Sequence, residues 1–142
     1  MKLPAKIEYA CKAVLELSLL YDEKRPISVE AISKSQKIPK EFLTQLLLRL
    51  KTAGVVESSR GTGGGYALAK PPSQFTLADI FRAMDSQILN GKKNSKSLTS
   101  SESSDLISGI WENVNKELAQ RLMITFEALK SQIKTGAVNY SI

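Results

Sequence analysis

Residues 39–69 read PKEFLTQLLLRLKTAGVVESSRGTGGGYALA, and this stretch decides the fold. Its first half places leucines at positions 43, 46, 47 and 50, a spacing that forms one apolar stripe on a helix. Pro39 suits the first helical position, where its missing N–H costs nothing, and Gly54 supplies the left-handed residue that ends the helix. The pattern therefore predicts an amphipathic helix over 39–53, with polar side chains on its other face.

The second half of this stretch has the pattern of a β-hairpin. Two short runs suited to strands, 55–59 and 66–69, flank the loop RGTGGG at 60–65, which contains four glycines and one arginine. A phosphate-binding loop is the alternative, but no Lys-Ser/Thr pair follows the glycines, and Tyr66 stands where a dinucleotide motif needs its third glycine. The hairpin is the favoured prediction.

Three further helices are predicted around this stretch. Apolar residues recur at steps of three and four from 7 to about 21, and Ser28 has the features of an N-cap for a short helix that ends near residue 35. A near capping box begins another helix over about 77–85. The order helix, short helix, turn, helix, hairpin is that of a winged helix-turn-helix domain, which we assign to 1–85. The predicted fold is mainly α with a small β-hairpin.

The remainder of the chain predicts a loop and a long helix. Residues 86–104 are rich in serine and poor in apolar side chains, which favours a flexible loop. A stripe of apolar residues then predicts one dimerisation helix over 105–134, about 40 Å long, followed by a tail over 135–142. So small a domain cannot cover such a stripe, which indicates packing against a second copy of the chain. The residues expected in this interface are Ile107, Trp111, Val114, Leu118, Leu122, Phe126 and Leu129.

Composition and charge exclude several classes of protein. The 142 residues include 20 Lys+Arg and 14 Asp+Glu, a net charge of +6 that indicates an anionic partner. Histidine is absent, which rules out zinc fingers and Ser-His-Asp triads, so we expect no enzyme. We find no run of eighteen apolar residues and no export signal, and the chain has a single cysteine. We therefore expect a cytoplasmic protein with no membrane partner.

The polar face of helix 39–53 carries side chains that suit the major groove of double-stranded DNA. Glutamine can bond an adenine edge in two places, and threonine offers a hydroxyl and a methyl group. An arginine at a glycine-rich tip suits a narrow, electronegative minor groove. The stretch 34–60 has six Lys/Arg and two Asp/Glu, so +4 of the net charge lies there. The expected DNA contacts are Lys40, Glu41, Thr44, Gln45, Arg49, Arg60, Gly61 and Thr62.

Simpler interpretations of these residues stay open at this point. Thr44 and Gln45 could be ordinary solvated surface, and Arg60 could pair with a surface acid. Trp111 could line a cavity for an effector, whether a small molecule or a protein, although packing in an interface is favoured.

These segments resemble the bacterial IscR/NsrR-type winged-helix regulators of the Rrf2 family. The resemblance is carried by KIEYA at 6–10, EFLTQLLLRL at 41–50, AGVVESSRGTGGGYALA at 53–69, FTLADI at 75–80 and RAM at 82–84. It covers residues 2 to about 88 closely, whereas the long helix matches only in kind.

The resemblance implies a homodimeric, sequence-specific transcriptional regulator, expected to be a repressor, that reads a pseudo-palindromic operator. Recognition helix 39–53 would enter the major groove and the wing 60–65 the minor groove. Glu41, Thr44 and Gln45 fall where the family contacts bases, and Arg60 falls at the wing tip. Many relatives have a glutamate where this chain has Thr44, so the operator preference should differ.

The resemblance also raises the question of an iron–sulfur cluster. Sensor members of the family hold a cluster with three cysteines in the loop before the long helix, whereas 86–104 contains none here. Cluster irons need thiolates or imidazoles, and Cys11 is the only candidate of either kind. We expect no cofactor and no metal site, and we give Glu8, in a region where some relatives have an acidic ligand, little weight. Cys11 is expected to be a packed, inert thiol, with a redox switch as the alternative.

A protein-interaction module is the alternative function. In that case the long helix would dock another protein, and the winged domain would be an adapter without specific DNA binding. The dependence of duplex binding on salt separates the two hypotheses, because a protein that binds phosphates loses affinity steeply as the salt concentration rises.

Overall fold

The computed structural model describes residues 2–89 and 101–134. This part of the chain is mainly helical with one two-stranded antiparallel hairpin, which confirms the predicted fold class. Residues 90–100 of the predicted loop and the whole of the predicted tail lie outside the described residues. The helices and strands are α1 (Ala5–Leu19), α2 (Val29–Gln36), α3 (Lys40–Thr52), β1 (Val56–Ser59), β2 (Gly65–Leu68), α4 (Leu77–Met84), α5 (Glu102–Arg121) and α6 (Phe126–Lys134), with 3-10 turns at Tyr21–Glu23 and Pro72–Gln74.

Helix α1 lies at the centre of the core. It packs against α2, α3, α4 and α6, and one of its faces is almost completely buried. The four leucines of α3 at positions 43, 46, 47 and 50 are buried, as their spacing predicts. Because the buried face of each helix points to this shared core, the opposite face of α3 is left to the solvent.

Local hydrogen bonds fix the turn between α2 and α3. The hydroxyl of Ser28 accepts from the N–H of Ala31 at 3.1 Å, so Ser28 caps α2 as predicted. The hydroxyl of Ser33 donates to the carbonyl oxygen of Ile38 across the turn, at 2.5 Å. Pro39 has an extended backbone, with φ of −54° and ψ of 130°, so it stands at the N-cap and α3 begins one residue later than predicted.

The hairpin is joined to the residue just before α2. Val56 pairs with Leu68 at one end of the β1–β2 ladder. Beyond that ladder, Ile27 and Tyr66 exchange two backbone hydrogen bonds of 2.8 Å, a bridge that the sequence pattern did not predict. Gly65 permits this approach, because a Cβ at that position would collide with the backbone of Ile27. The bridge attaches the hairpin to the helix-turn-helix.

The prediction of one continuous helix over 105–134 is wrong. Helix α5 begins at Glu102, inside the predicted loop, because the hydroxyl of Ser101 accepts from the N–H of Ser104 at 3.3 Å. The helix ends at Arg121, and α6 begins only at Phe126. The hydroxyl of Thr125 accepts from the N–H of Ala128 at 3.1 Å and caps α6.

Backbone hydrogen bonds to the start of α4 explain the break. The N–H groups of Leu77 and Ala78 donate to the carbonyl oxygens of Ile124 and Leu122, each at 3.0 Å. These N–H groups belong to the first turn of α4 and have no partner within that helix. The carbonyl oxygens of Leu122 and Ile124 can accept these bonds because α5 ends before them and α6 begins after them.

The position of α6 corrects part of the predicted dimer interface. Phe126 is fully buried in the core of its own chain, so its assignment to the interface is wrong. Leu118, Leu122 and Leu129 are half-buried and pack against the same core. Burial within one chain therefore covers the C-terminal part of the apolar stripe that the sequence pattern assigns to a second copy, and leaves Ile107, Trp111 and Val114 exposed.

An ion pair also joins α6 to the turn after α1. The buried ammonium of Lys130 lies 3.1 Å from a carboxylate oxygen of Asp22. The hydrogen bond from Lys130, followed by its charge, lowers the pKa of Asp22. Asp22 therefore stays ionised and gives the buried lysine its partner.

The variant Phe126→Ala tests whether this residue belongs to the core of its own chain. We expect a loss of about 3–5 kcal/mol in the free energy of unfolding, because a fully buried phenylalanine leaves a cavity. Urea unfolding at fixed protein concentration measures it. The control Ile133→Ala truncates a 43% exposed side chain of α6 and should change stability by only about 0.5 kcal/mol. Equal effects of the two variants would contradict the assignment.

Candidate nucleic-acid interface

One line of exposed side chains runs along α3, opposite its buried leucines. The line consists of Glu41, Gln45, Leu48 and Thr52, whose spacing of four, three and four places them on one helical face. Arg49 is also exposed, on one side of this line. Two predicted DNA contacts, Glu41 and Gln45, therefore lie on the solvent face of the helix.

Lys40 and Thr44 are engaged within the helix-turn-helix. The ammonium of Lys40 lies 2.6 Å from the carboxylate of Glu30 in α2. The hydrogen bond and charge of Glu30 raise the pKa of Lys40, while the hydrogen bond from Lys40 lowers that of Glu30. The half-buried Thr44 donates its hydroxyl proton to the carbonyl oxygen of Lys40 at 2.9 Å. The methyl group and the oxygen lone pairs of Thr44 are left for another partner.

The wing tip is open to solvent. Arg60, Gly61 and Thr62 are all exposed. The tip is closed by a hydrogen bond of 2.9 Å from the N–H of Gly64 to the oxygen of Gly61, whose φ of +94° suits glycine. Across residues 2–89 and 101–134, no carboxylate forms an ion pair with Arg60. Its guanidinium is available to a ligand without the loss of such a pair.

Direct contacts connect α3 to the wing. Lys51 in α3 donates to the hydroxyl of Ser58 in β1 at 2.6 Å. The N–H of Val55 donates to the carbonyl oxygen of Leu50 at 2.9 Å, just after the left-handed Gly54, whose φ is +79°. The candidate recognition helix and the wing are thus held in a fixed relation by contacts on both sides of the turn between them.

A groove with a volume of about 400 Å³ runs beside α3 and includes residues that the sequence pattern missed. The periodicity of α1 gave no indication that Lys6 would line the same groove as Arg49. Phe42 is 39% exposed, and its ring meets that of Tyr9 edge-on with 5.6 Å between centroids. The sequence does indicate that Leu48 is exposed, because it falls outside the stripe of leucines at 43, 46, 47 and 50. The lining residues are Lys6, Phe42, Gln45, Leu46, Leu48, Arg49, Thr52 and Met84.

The residues present do not fit an iron–sulfur cluster. Cys11 is half-buried on α1, and burial raises the pKa of its thiol to about 12, so the thiol carries its proton at neutral pH. Glu8 lies 3.2 Å from Lys12 in an ion pair. In the described ranges, no three side chains of His, Cys, Asp or Glu come together as a metal site. A cluster of the three-cysteine type lacks its ligands in a chain with one cysteine.

Comparison with known proteins identifies the family. Residues 3–131 match the model of the Rrf2 family, described as an iron-dependent transcriptional regulator. This chain belongs to the Rrf2 family. The HTH-type transcriptional regulator IscR of Cereibacter sphaeroides is 33% identical to this Rrf2 protein over 119 residues, which cover 81% of this chain and 77% of IscR.

Two further comparisons extend this result. The slr0846 protein of Synechocystis sp. is 43% identical over 88 residues, which span 62% of this chain and 59% of slr0846. The structure of T. potens IscR superposes with a TM-score of 0.78 and 27% identity, and the match covers 99% of this chain and 94% of that one. The predicted winged-helix fold is confirmed.

The family sets the general function. This Rrf2 protein is a DNA-binding transcriptional regulator and not an enzyme, in agreement with the prediction. In the part of the chain that the structure describes, no helix combines the length and the apolar character needed to cross a membrane.

Proposed function

We propose that this Rrf2 protein is a homodimeric repressor that reads a pseudo-palindromic operator, with α3 in the major groove and the wing 60–65 in the minor groove. The observation that carries this proposal is the junction between the two elements. Lys51 and Ser58 connect α3 to β1, and Ile27 and Tyr66 connect the hairpin to the residue before α2. A helix and a wing held in a fixed relation can address two grooves without first being ordered.

Hydrogen-bonding groups on α3 supply the base contacts in this proposal. The amide of Gln45 can both donate to and accept from the major-groove edge of an adenine, and the carboxylate of Glu41 can accept from the amino group of a cytosine. Glu41 repels phosphates, so it favours a specific base contact over sequence-independent binding. Both side chains are exposed in the free protein and need no rearrangement to reach a base.

Cations near α3 supply the contacts to the phosphate backbone. Lys6 and Arg49 line the same groove beside the helix, and positive charge there attracts the duplex. Lys40 contributes less than its charge indicates, because its ion pair with Glu30 neutralises it locally. We assign Lys40 mainly to positioning α2 against α3.

Arg60 supplies the minor-groove contact. Its side chain is exposed beside glycines that let the backbone come close to the sugar–phosphate walls. Narrow minor grooves have an enhanced negative potential that attracts an arginine. We assign Gly61 and Thr62, which follow Arg60 and are exposed, to contacts with the phosphates that border the groove.

The exposed apolar face of α5 forms the proposed dimer interface. Five large apolar side chains on this face, at positions 106, 107, 110, 111 and 114, are between 42% and 66% exposed. A two-fold axis would pair each such face with its copy, and would duplicate α3 and the wing for two half-sites. This interface retains Ile107, Trp111 and Val114 from the sequence-based set and adds Leu106 and Ile110.

Repression and the absence of a cluster complete the proposal. A dimer that covers its operator and has no catalytic role acts most simply by excluding other proteins from that DNA. The lone Cys11, with its raised pKa, supports a regulator without an iron–sulfur cluster and without a reactive thiolate at neutral pH.

Operator binding tests the DNA-reading proposal. On a duplex selected from a random pool, affinity should fall ~10³-fold between 50 and 200 mM salt, because phosphate contacts release counterions. Arg60→Ala should cost ~1–3 kcal/mol of binding, measured by fluorescence anisotropy, and leave the dimer intact. The control Arg121→Ala removes an arginine at the end of α5 and should bind normally. Binding that is insensitive to salt would favour the adapter function instead.

Sedimentation tests the proposed interface. Trp111→Asp places a charge within the apolar face of α5 and should convert the dimer to monomers that remain folded, because this side chain is 56% exposed in the single chain. The control Lys116→Gln changes the net charge by the same amount on the opposite face of α5, where Lys116 is exposed, and should stay dimeric. If the Trp111→Asp protein has the same mass in solution as the wild type, the apolar face of α5 does not form the dimer interface.

The visible absorption spectrum tests the proposed absence of a cluster. Protein purified without oxygen should be colourless, with no stoichiometric iron or acid-labile sulfide, because the chain lacks the cysteine ligands. A brown protein containing both elements would show that other ligands hold a cluster.

A further inference from the structure

Leu48 is the apolar member of the exposed line along α3. It is 53% exposed, the highest value among the large apolar side chains of residues 2–89, where Phe42 reaches 39% and Leu3 38%. Gln45 precedes it by three residues on the same face, and both side chains line the groove beside the helix. A leucine in the middle of a surface that reads bases needs a physical reason.

Leu48 has no role in the core. The buried leucines of α3 at positions 43, 46, 47 and 50 fill the space against its neighbours, and Leu48 does not belong to the residues that pack against them. Its truncation would therefore leave the core unchanged. The apolar surface of Leu48 is available to a partner outside the described chain.

The threonine that follows makes this surface more apolar than the sequence indicates. The hydroxyl of Thr52 donates to the carbonyl oxygen of Leu48 at 3.1 Å, as that of Thr44 does to Lys40 at 2.9 Å. Each hydroxyl proton is used within the helix, so neither threonine has a proton free for a base. The chemistry left on this part of α3 is a leucine side chain, two methyl groups and two hydroxyl oxygens that can only accept, beside the amide of Gln45.

We propose that Leu48 is a specificity-determining residue whose side chain packs against the 5-methyl group of a thymine in the operator. The thymine methyl is the only apolar group that a base presents in the major groove; the other positions present hydrogen-bond donors and acceptors. Leucine against those polar positions would remove water and return no hydrogen bond. Leu48 therefore favours thymine over cytosine and over either purine.

The spacing along α3 links this thymine to the base read by Gln45. Three residues advance about 4.5 Å along a helix, close to the 3.4 Å that separates successive base pairs. The amide of Gln45 and the side chain of Leu48 thus address the same or neighbouring base pairs. An A·T-containing step is expected in each half-site.

Removal of single methyl groups tests the inference, which rests on the proposed function. In a duplex selected by the wild-type protein, each thymine is replaced in turn by deoxyuridine, which lacks only the methyl group. Wild-type affinity should fall about fourfold at one thymine of each half-site, because one buried methyl group is lost. Leu48→Ala should bind the thymine and uracil duplexes equally at that position, and keep the wild-type response at the others.

Three controls make the outcome specific. Leu48→Met, which keeps a large apolar side chain but without the branch, should retain the sensitivity to the methyl group that Leu48→Ala loses. Ile133→Ala truncates a 43% exposed apolar side chain of α6 and should keep the full wild-type response. The thermal unfolding of Leu48→Ala should match the wild type, because the core is untouched.

The failures are distinguishable. A wild-type protein that selects no sequence from the pool would end both the proposed function and this inference. A protein that selects an operator but gives the same uracil response in wild type and Leu48→Ala would overturn the role of Leu48 alone. The latter result, with unchanged duplex affinity, would indicate that Leu48 contacts a protein instead of a base.

Discussion

Burial of the α3 leucines against the core is the interaction on which the rest of the structure depends. Four leucines on one stripe leave the helix a single favourable rotation about its axis, because any other would expose them. That rotation carries Glu41, Gln45 and Leu48 to the solvent side. The surface proposed to read DNA is therefore set by apolar packing on the side of the helix that never meets DNA.

The wing depends on the same packing through backbone hydrogen bonds. Gly54 turns the chain out of α3 directly into β1, so the start of the hairpin inherits the position of the helix. The bridge between Ile27 and Tyr66 then fixes a second point, next to the start of α2. With two attachments the hairpin cannot swing freely, and Arg60 at its tip is presented at a defined place relative to α3.

The C-terminal helices connect the winged helix-turn-helix domain to the proposed dimer interface. Phe126 is buried beside α1, and the segment before it supplies carbonyl oxygens to the first turn of α4. Helix α5 is thus attached to the domain at its C-terminal end, while its apolar residues nearer the N-terminal end are exposed. In a dimer built on that face, the distance between two copies of α3 would depend on the break at 122–125.

The sequence by itself determined the local elements, because leucine spacing, cap residues such as Ser28 and the glycines of the wing act on nearby backbone. It also indicated that Gln45 lies on a polar face, since the same periodicity defines both faces of α3. Only the tertiary structure decided that the C-terminal stripe splits, with Phe126 turned inward. The reason is physical: periodicity records that a residue seeks burial but not which surface buries it, and the N–H groups of α4 that compete for the carbonyl oxygens of 122–125 lie more than forty residues away in the chain.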